Sequence, residues 1–205
     1  MNLKAHWEKV FNSKKLSEMS WQQECPQKSL DLIGRTNLGS DVHLIDIGGG
    51  VSRLVDEVLK QKFRQITVLD ISSAAIGQAK NRLGEFENKV EWIEGDVTTA
   101  VLPDKQFDIW HDRAVFHFLT ESNDRLLYLA QMCKSLKPNR FAIMATFALD
   151  GPQACSGLQV SRYSASSLAY ELGEAFELLE SCTERHITPW GSPQEFLYCL
   201  FRKVK

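Results

Sequence analysis

The stretch Leu44-Ile45-Asp46-Ile47-Gly48-Gly49-Gly50-Val51-Ser52-Arg53 runs from an apolar strand into three glycines and then into a helix pattern. Residues 42–47 are nearly all apolar, as a strand covered on both faces requires. Residues 51–61 place Leu54, Val55, Val58 and Leu59 at helical spacing. Glycine between them allows a sharp turn and lets a ligand come close to the backbone. The helix start behind the loop offers unpaired N–H groups and a positive dipole end, which suit a carboxylate or a phosphate. Asp70 follows Gly50 by 20 residues, at the end of the next strand. At that distance a βαβ unit brings an acid to a ribose diol. Gly48 and Gly50 match the Gly-x-Gly-x-x-Gly pattern of dinucleotide sites, but Arg53 stands where its third glycine belongs.

Outward from this loop the same alternation continues. Residues 66–69 read as a second strand, and Ser72 and Ser73 as caps of an Ala-rich helix reaching residue 83. A third strand over 90–93 closes on Gly95-Asp96-Val97, and a fourth covers 107–110. A helix over 123–136, stopped by Pro138, leads to a fifth strand over 140–147. Strands alternating with helices predict a parallel sheet covered on both faces. Residues 166–173 read as a further helix. Residues 177–187 and 195–202 then read as two strands joined by a Pro/Gly-containing connection, an antiparallel pair at one edge. Residues 1–40 are polar, carry aromatics and show no strand. They read as a helical cap or lid on a domain formed by residues 41–205.

Composition narrows the class. The chain has 205 residues, 43% hydrophobic and 24% charged, so it can form a self-sufficient globular core and is not disordered or collagen-like. The formal charge of −2 leaves no electrostatic footprint for nucleic acid. Five cysteines, with no Cys-x-x-Cys, point to free thiols in a reducing compartment rather than to a zinc ribbon. The first thirty residues lack an apolar signal core and no run is long enough for a bilayer, so the expectation is a cytoplasmic protein without membrane contact. The five histidines show no metal-ligand spacing, and no metal is expected.

These motifs together resemble the class I, seven-stranded S-adenosylmethionine-dependent methyltransferases over residues 42–147. Asp46-Ile47-Gly48-Gly49-Gly50-Val51-Ser52 is similar to the family's first motif, with serine at its last position. The resemblance implies a doubly wound, Rossmann-like α/β sheet of order 3-2-1-4-5-7-6 with its last strand antiparallel. It assigns cofactor contacts to Asp46, Gly48, Gly49 and Gly50, to Asp70 on the ribose, to Ile71, Asp96 and Val97 around the adenine, and to His111. Leu136-Lys-Pro-Asn139-Arg140 resembles the approach to the fifth strand, with Asn139 and Arg140 replacing glycines.

Methyl transfer is an in-line displacement at a carbon attached to a sulfonium, favoured by positioning and by a water-poor site. An oxygen or amine acceptor must also lose a proton, which a histidine near its ordinary pKa can take. Trp110-His111-Asp112-Arg113 and His117-Phe118 collect candidates at the end of the fourth strand, where ligands sit in open α/β sheets. His111, Asp112 and His117 are the catalytic candidates, with His117 the candidate base and packing beneath the site its alternative. Arg113 can hold an acceptor carboxylate or pair with Asp112. Trp21, His186 and Trp190 complete the acceptor-pocket candidates. A small-molecule acceptor is the leading expectation. A protein lysine acceptor and a non-catalytic S-adenosylmethionine-binding module are the alternatives. A nicotinamide-dependent oxidoreductase is disfavoured, because no Tyr-x-x-x-Lys occurs.

Overall fold

His43–Ile47, all five buried, form β1, with β2 (Gln65–Asp70) and β3 (Glu91–Glu94) on one side. On its other side lie β4 (Phe107–Arg113) and β5 (Leu136–Phe147). The computed structural model describes residues 2–204. After β5 comes a separate small hairpin, β6 (Ala154–Cys155) and β7 (Leu158–Gln159), and then the long pair β8 (Phe176–Ile187) and β9 (Pro193–Lys203). The seven-stranded sheet runs β3-β2-β1-β4-β5-β9-β8. This is the order expected from the sequence once the small hairpin is counted. β1 to β5 are parallel, and β9 is antiparallel to both β5 and β8.

Alternation along the strands divides the core in two. Ile45, Phe107, Trp110, Met144 and Phe201 pack on one face, with α5 (Ser122–Ser135) and α6 (Ala165–Leu172) over them. Leu44, Ile109, Ile143, Tyr198 and Leu200 pack on the other, beneath α2 (Gln27–Arg35) and α3 (Leu54–Lys60). Between β2 and β3 runs α4 (Ser73–Leu83), capped by the Ser72 side chain on the Ala75 N–H as the sequence predicts. Residues before β1 contain α1 (Leu3–Ser13), a short 3-10 turn at Leu16–Glu18, and α2, with no strand. Among the described residues no helix is long and apolar enough to cross a membrane.

Two local features differ from the sequence reading. β5 starts at Leu136, before Pro138, because residues 137–140 bulge outward between the Phe107–Leu136 and Ile109–Phe141 pairs. Asn139 turns that bulge with φ +59, while Lys137 and Arg140 both hold the buried Asp108, at 2.7 and 2.8 Å. The β6–β7 hairpin was not expected. Ser156 and Gly157 form its turn with φ +51 and +79, the left-handed pair that two-residue hairpins need.

Candidate active site

A cavity of about 900 Å³, including its mouth, lies across one end of the sheet, over β3, β2, β1, β4, β5 and the start of β9. At the β2–β3 end it is walled by Asp70, Ile71, Gly95, Asp96 and Val97. Asp70 is buried, and its two carboxylate oxygens accept the N–H groups of Gly50 (3.0 Å) and Ser72 (2.8 Å). Burial pushes its pKa up to about 6, while the bonds from Ser72 and Gly50 work the other way. Each oxygen keeps a further lone pair for a hydroxyl. On the neighbouring strand end Asp96 takes the Thr98 N–H and hydroxyl on one oxygen.

The glycine loop is shaped by close packing. Gly48 sits at φ +65, and a Cβ there would lie 2.2 Å from the Val115 side chain. One at Gly49 would lie 2.3 Å from Asp46 Oδ2, and one at Gly50 2.6 Å from Asp70 Oδ2. The Arg82 side chain, from α4, holds the carbonyls of Val51 and Ser52 and pairs with Asp56. A second, smaller pocket opens at this loop, lined by Asp46, Gly48, Gly49, Arg53, His111 and Arg113 among others. Within it Asp46 Oδ1 meets His111 Nδ1 at 2.7 Å, and His111 Nε2 meets Ser29 Oγ of α2 at 2.8 Å. Asp46 Oδ2 and Arg53 Nε are buried there without partners. One carboxylate oxygen and one guanidinium nitrogen left unpaired beside a glycine loop fit the ammonium and carboxylate of an amino acid.

Toward β5 and β9 the cavity becomes aromatic, with Phe118, Phe147 and Phe196 in its wall. Trp7, Phe11 and Trp21, from the segment before β1, also line the cavity, and Leu3 lines it at the β3 end, beside Ile71 and Asp96. Trp7 makes edge contacts with Phe118 at 5.1 Å and Trp21 at 5.8 Å between ring centroids. Glu8 of α1 accepts the N–H groups of Ser73 and Ala74 and the Ser73 hydroxyl, at the start of α4. Burial opposes its charge, but these bonds prevail and lower its pKa. Arg113 donates to Tyr198 Oη (2.8 Å) and to the Trp21 carbonyl (3.0 Å), with its guanidinium 4.4 Å from the Phe196 ring centroid. Cys155 of the small hairpin also lines the wall, its thiol raised in pKa by burial.

Residues 44–139 match the family model of a methyltransferase domain. Residues 44–139 thus carry a methyltransferase domain, and the sheet has the fold of the class I S-adenosylmethionine-dependent methyltransferases. No curated protein matches it in sequence. Among solved structures it is similar to a protein from the conversion of a disulfide bond into a thioacetal group during echinomycin biosynthesis. That likeness has a TM-score of 0.80 at 14% identity, covering 99% of this chain and 92% of the other. It is also similar to the 1,6-didemethyltoxoflavin-N1-methyltransferase of Burkholderia thailandensis, solved with 1,6-didemethyltoxoflavin and S-adenosylhomocysteine bound (TM-score 0.71, 19% identity, 99% and 88% covered). A third is an S-adenosylmethionine-dependent methyltransferase of Anabaena variabilis (0.73, 15%, 99% and 96%). Identities this low make the likeness one of fold.

Of the residues singled out from the methyltransferase sequence, Asp46, Gly48, Gly49, Asp70, Ile71, Asp96, Val97, His111, Arg113 and Trp21 line one or both pockets. Gly50 stands behind them as the donor to Asp70. The structure places the others outside both pockets. Asp112 is fully buried outside both pockets, accepting the N–H groups of Val115 and Phe116 and the Tyr128 hydroxyl at 2.6 Å. Burial pushes its pKa up to about 6. It caps the turn at Phe116–Phe118. His117 is fully buried in that turn, with Nδ1 accepting the Phe147 N–H. Burial, with Arg113 nearby, lowers its pKa to about 3, which favours the neutral imidazole at pH 7. His111 has both ring nitrogens engaged, by Asp46 and Ser29. His186 is buried away from the cavity, bonding the Ser20 carbonyl at 2.6 Å, and Trp190 is 59% exposed at the tip of the terminal hairpin. Neither lines the pocket. Sequence reasoning missed Ser29, Glu8, Arg53 as a ligand group, and Cys155. Only the Ser156-Gly157 turn signal could have led to the last of these.

Proposed function

We propose that the methyltransferase transfers a methyl group from S-adenosylmethionine to a small-molecule acceptor held at the aromatic end of the cavity. The observation that carries this reading is the layout of one continuous cavity: acids at the β2–β3 end, the glycine loop at its middle and aromatic walls at the β5–β9 end. When bound, S-adenosylmethionine supplies a methyl group on a positively charged sulfur. Asp70 takes the ribose hydroxyls, Ile71 and Val97 flank the adenine, and Asp96 receives its amino group. Asp46, kept in place by His111 and Ser29, takes the ammonium, and Arg53 the carboxylate, over the backbone of Gly48 and Gly49. Trp21 and Arg113 wall the acceptor.

Residues 1–40 act as a lid on a domain formed by residues 41–205. Leu3, Trp7 and Trp21 exclude water, which strengthens every charge interaction inside. Holding donor and acceptor in line is worth several kcal/mol, up to roughly 7–11 for ideal orientation. All five cysteines are unbridged, which fits work in the cytoplasm.

S-adenosylhomocysteine tests the cofactor half. At about 100 times its Kd it adds roughly 2.7 kcal/mol of stability, raising Tm by roughly 5–10 °C for a chain of this size. An unmoved Tm refutes the reading. Labelled S-adenosylmethionine with a cell extract tests the acceptor half, where label is expected in the small-molecule fraction. Label confined to protein would replace a small acceptor by lysine.

A further inference from the structure

We propose that the acceptor is an apolar monoanion, a carboxylate on an aromatic or aliphatic body, and that Arg113 selects it. This rests on the methyltransferase reading of the cavity and adds to it the chemical class of the substrate. Among the described residues Arg113 is the one cation in the wall of the main cavity. The acids of that wall, Asp70 and Asp96, lie at the far end, over β2 and β3. Glu184, the acid nearest in the hydrogen-bond chain, reaches Arg113 only through the Tyr198 hydroxyl, which donates to it at 2.9 Å.

The guanidinium is held rigidly. Nε is fixed by Tyr198, Nη1 by the Trp21 carbonyl, and its face by Phe196. Nη2 is left buried and without a partner. A planar fork with one nitrogen unpaired in an apolar setting favours a carboxylate, whose charge gains most where water is scarce. An amine in the same place would meet a like charge in a low-dielectric box. Phe118, Phe147 and Trp21 supply contact for the apolar body. The absence of a base fits as well. His117 is neutral and out of reach, and no histidine lines the main cavity among the described residues. A carboxylate oxygen that arrives ionised forms the O–CH3 bond of an ester as the S–CH3 bond breaks and S-adenosylhomocysteine leaves, with no proton for a base to remove.

The test uses the full chain saturated with S-adenosylhomocysteine and a series of aromatic and aliphatic acids, phenylacetate among them. Each acid is paired with its amide and its amine, and binding is read by calorimetry. The expected result is at least tenfold tighter binding of acids than of their amides, with amines weakest. Amides or amines binding as well as the acids, or no acid binding at all, overturns the proposal. Arg113→Gln should abolish the acid preference and leave S-adenosylhomocysteine affinity within about threefold. If instead it weakens S-adenosylhomocysteine and spares the acids, Arg113 serves the cofactor and the proposal fails. Should that variant not fold, the wild-type series decides alone. Wild-type protein that binds no S-adenosylhomocysteine refutes the methyltransferase reading rather than this one.

Discussion

Gly48 has the least freedom of any residue at the site. Its φ of +65 and the 2.2 Å approach of a Cβ to Val115 mean that Gly48→Ala must both strain the backbone and push Val115 into the cavity. We expect S-adenosylhomocysteine affinity to drop at least tenfold by titration calorimetry, and an unchanged Kd would show that the loop does not contact the ligand. His117 makes a different prediction. Its folded pKa, about 3, lies below the ordinary histidine value, so between those two values the unfolded chain binds the extra proton. Stability from this group is present at neutral pH and is lost as pH falls through that window, roughly 2 kcal/mol between pH 7 and 5. His117→Asn should therefore lose less stability than wild type over that interval in urea denaturation. Parallel losses would contradict a buried neutral His117. At this scale the sequence was legible where backbone and strand position decide. Asp70 and Asp96 lie at strand ends, and position alone puts them at the cavity, as it puts Asp46, near the end of β1, at the smaller pocket. It was not legible where side-chain direction decides. His111 and Asp112 are adjacent and point to opposite faces of β4, one toward Asp46 and Ser29, the other toward Tyr128.

Among the elements, α1 depends on a contact remote in sequence. Glu8 adds three bonds at the start of α4, which Ser72 already caps. Removing it should cost α4 about 1 kcal/mol or less, while α1 loses its anchor. Glu8→Ala should speed limited proteolysis within residues 3–15 severalfold and shift the urea midpoint of the sheet only slightly. Equal cleavage rates would sink the idea that Glu8 docks α1. No local pattern marks Glu8 for this role, because its partners are 65 and 66 residues away. Helices with their own caps were easier: Ser72 starts α4 by accepting the N–H three residues on. β5 was harder, since Pro138 reads as a stop and instead sits in an outward bulge where its missing N–H costs nothing.

For the whole molecule, the antiparallel β9 decides cohesion. It lies between β5 and β8, and Phe196, Tyr198 and Phe201 are fully buried in it. A chain cut after Gly191 would leave one edge of β5 unpaired, β8 without its neighbour and the apolar partners of Phe196, Tyr198 and Phe201 uncovered, so we expect it to lack a cooperative thermal transition and to bind hydrophobic dyes. A sharp transition near that of the uncut chain would show that β1 to β5 are self-sufficient. The sheet order itself came from family resemblance; apolar alternation alone yields parallel strands and helices but not their sequence across the sheet. The contacts between the segment before β1 and this sheet have one more consequence. His186 and Arg113 grip residues 20 and 21 by their carbonyls, not by their side chains. Any amino acid supplies a carbonyl. The wall at position 21 can therefore change from one descendant to the next while its fastening stays the same, so that acceptor preference can drift over evolutionary time without unfastening the closure.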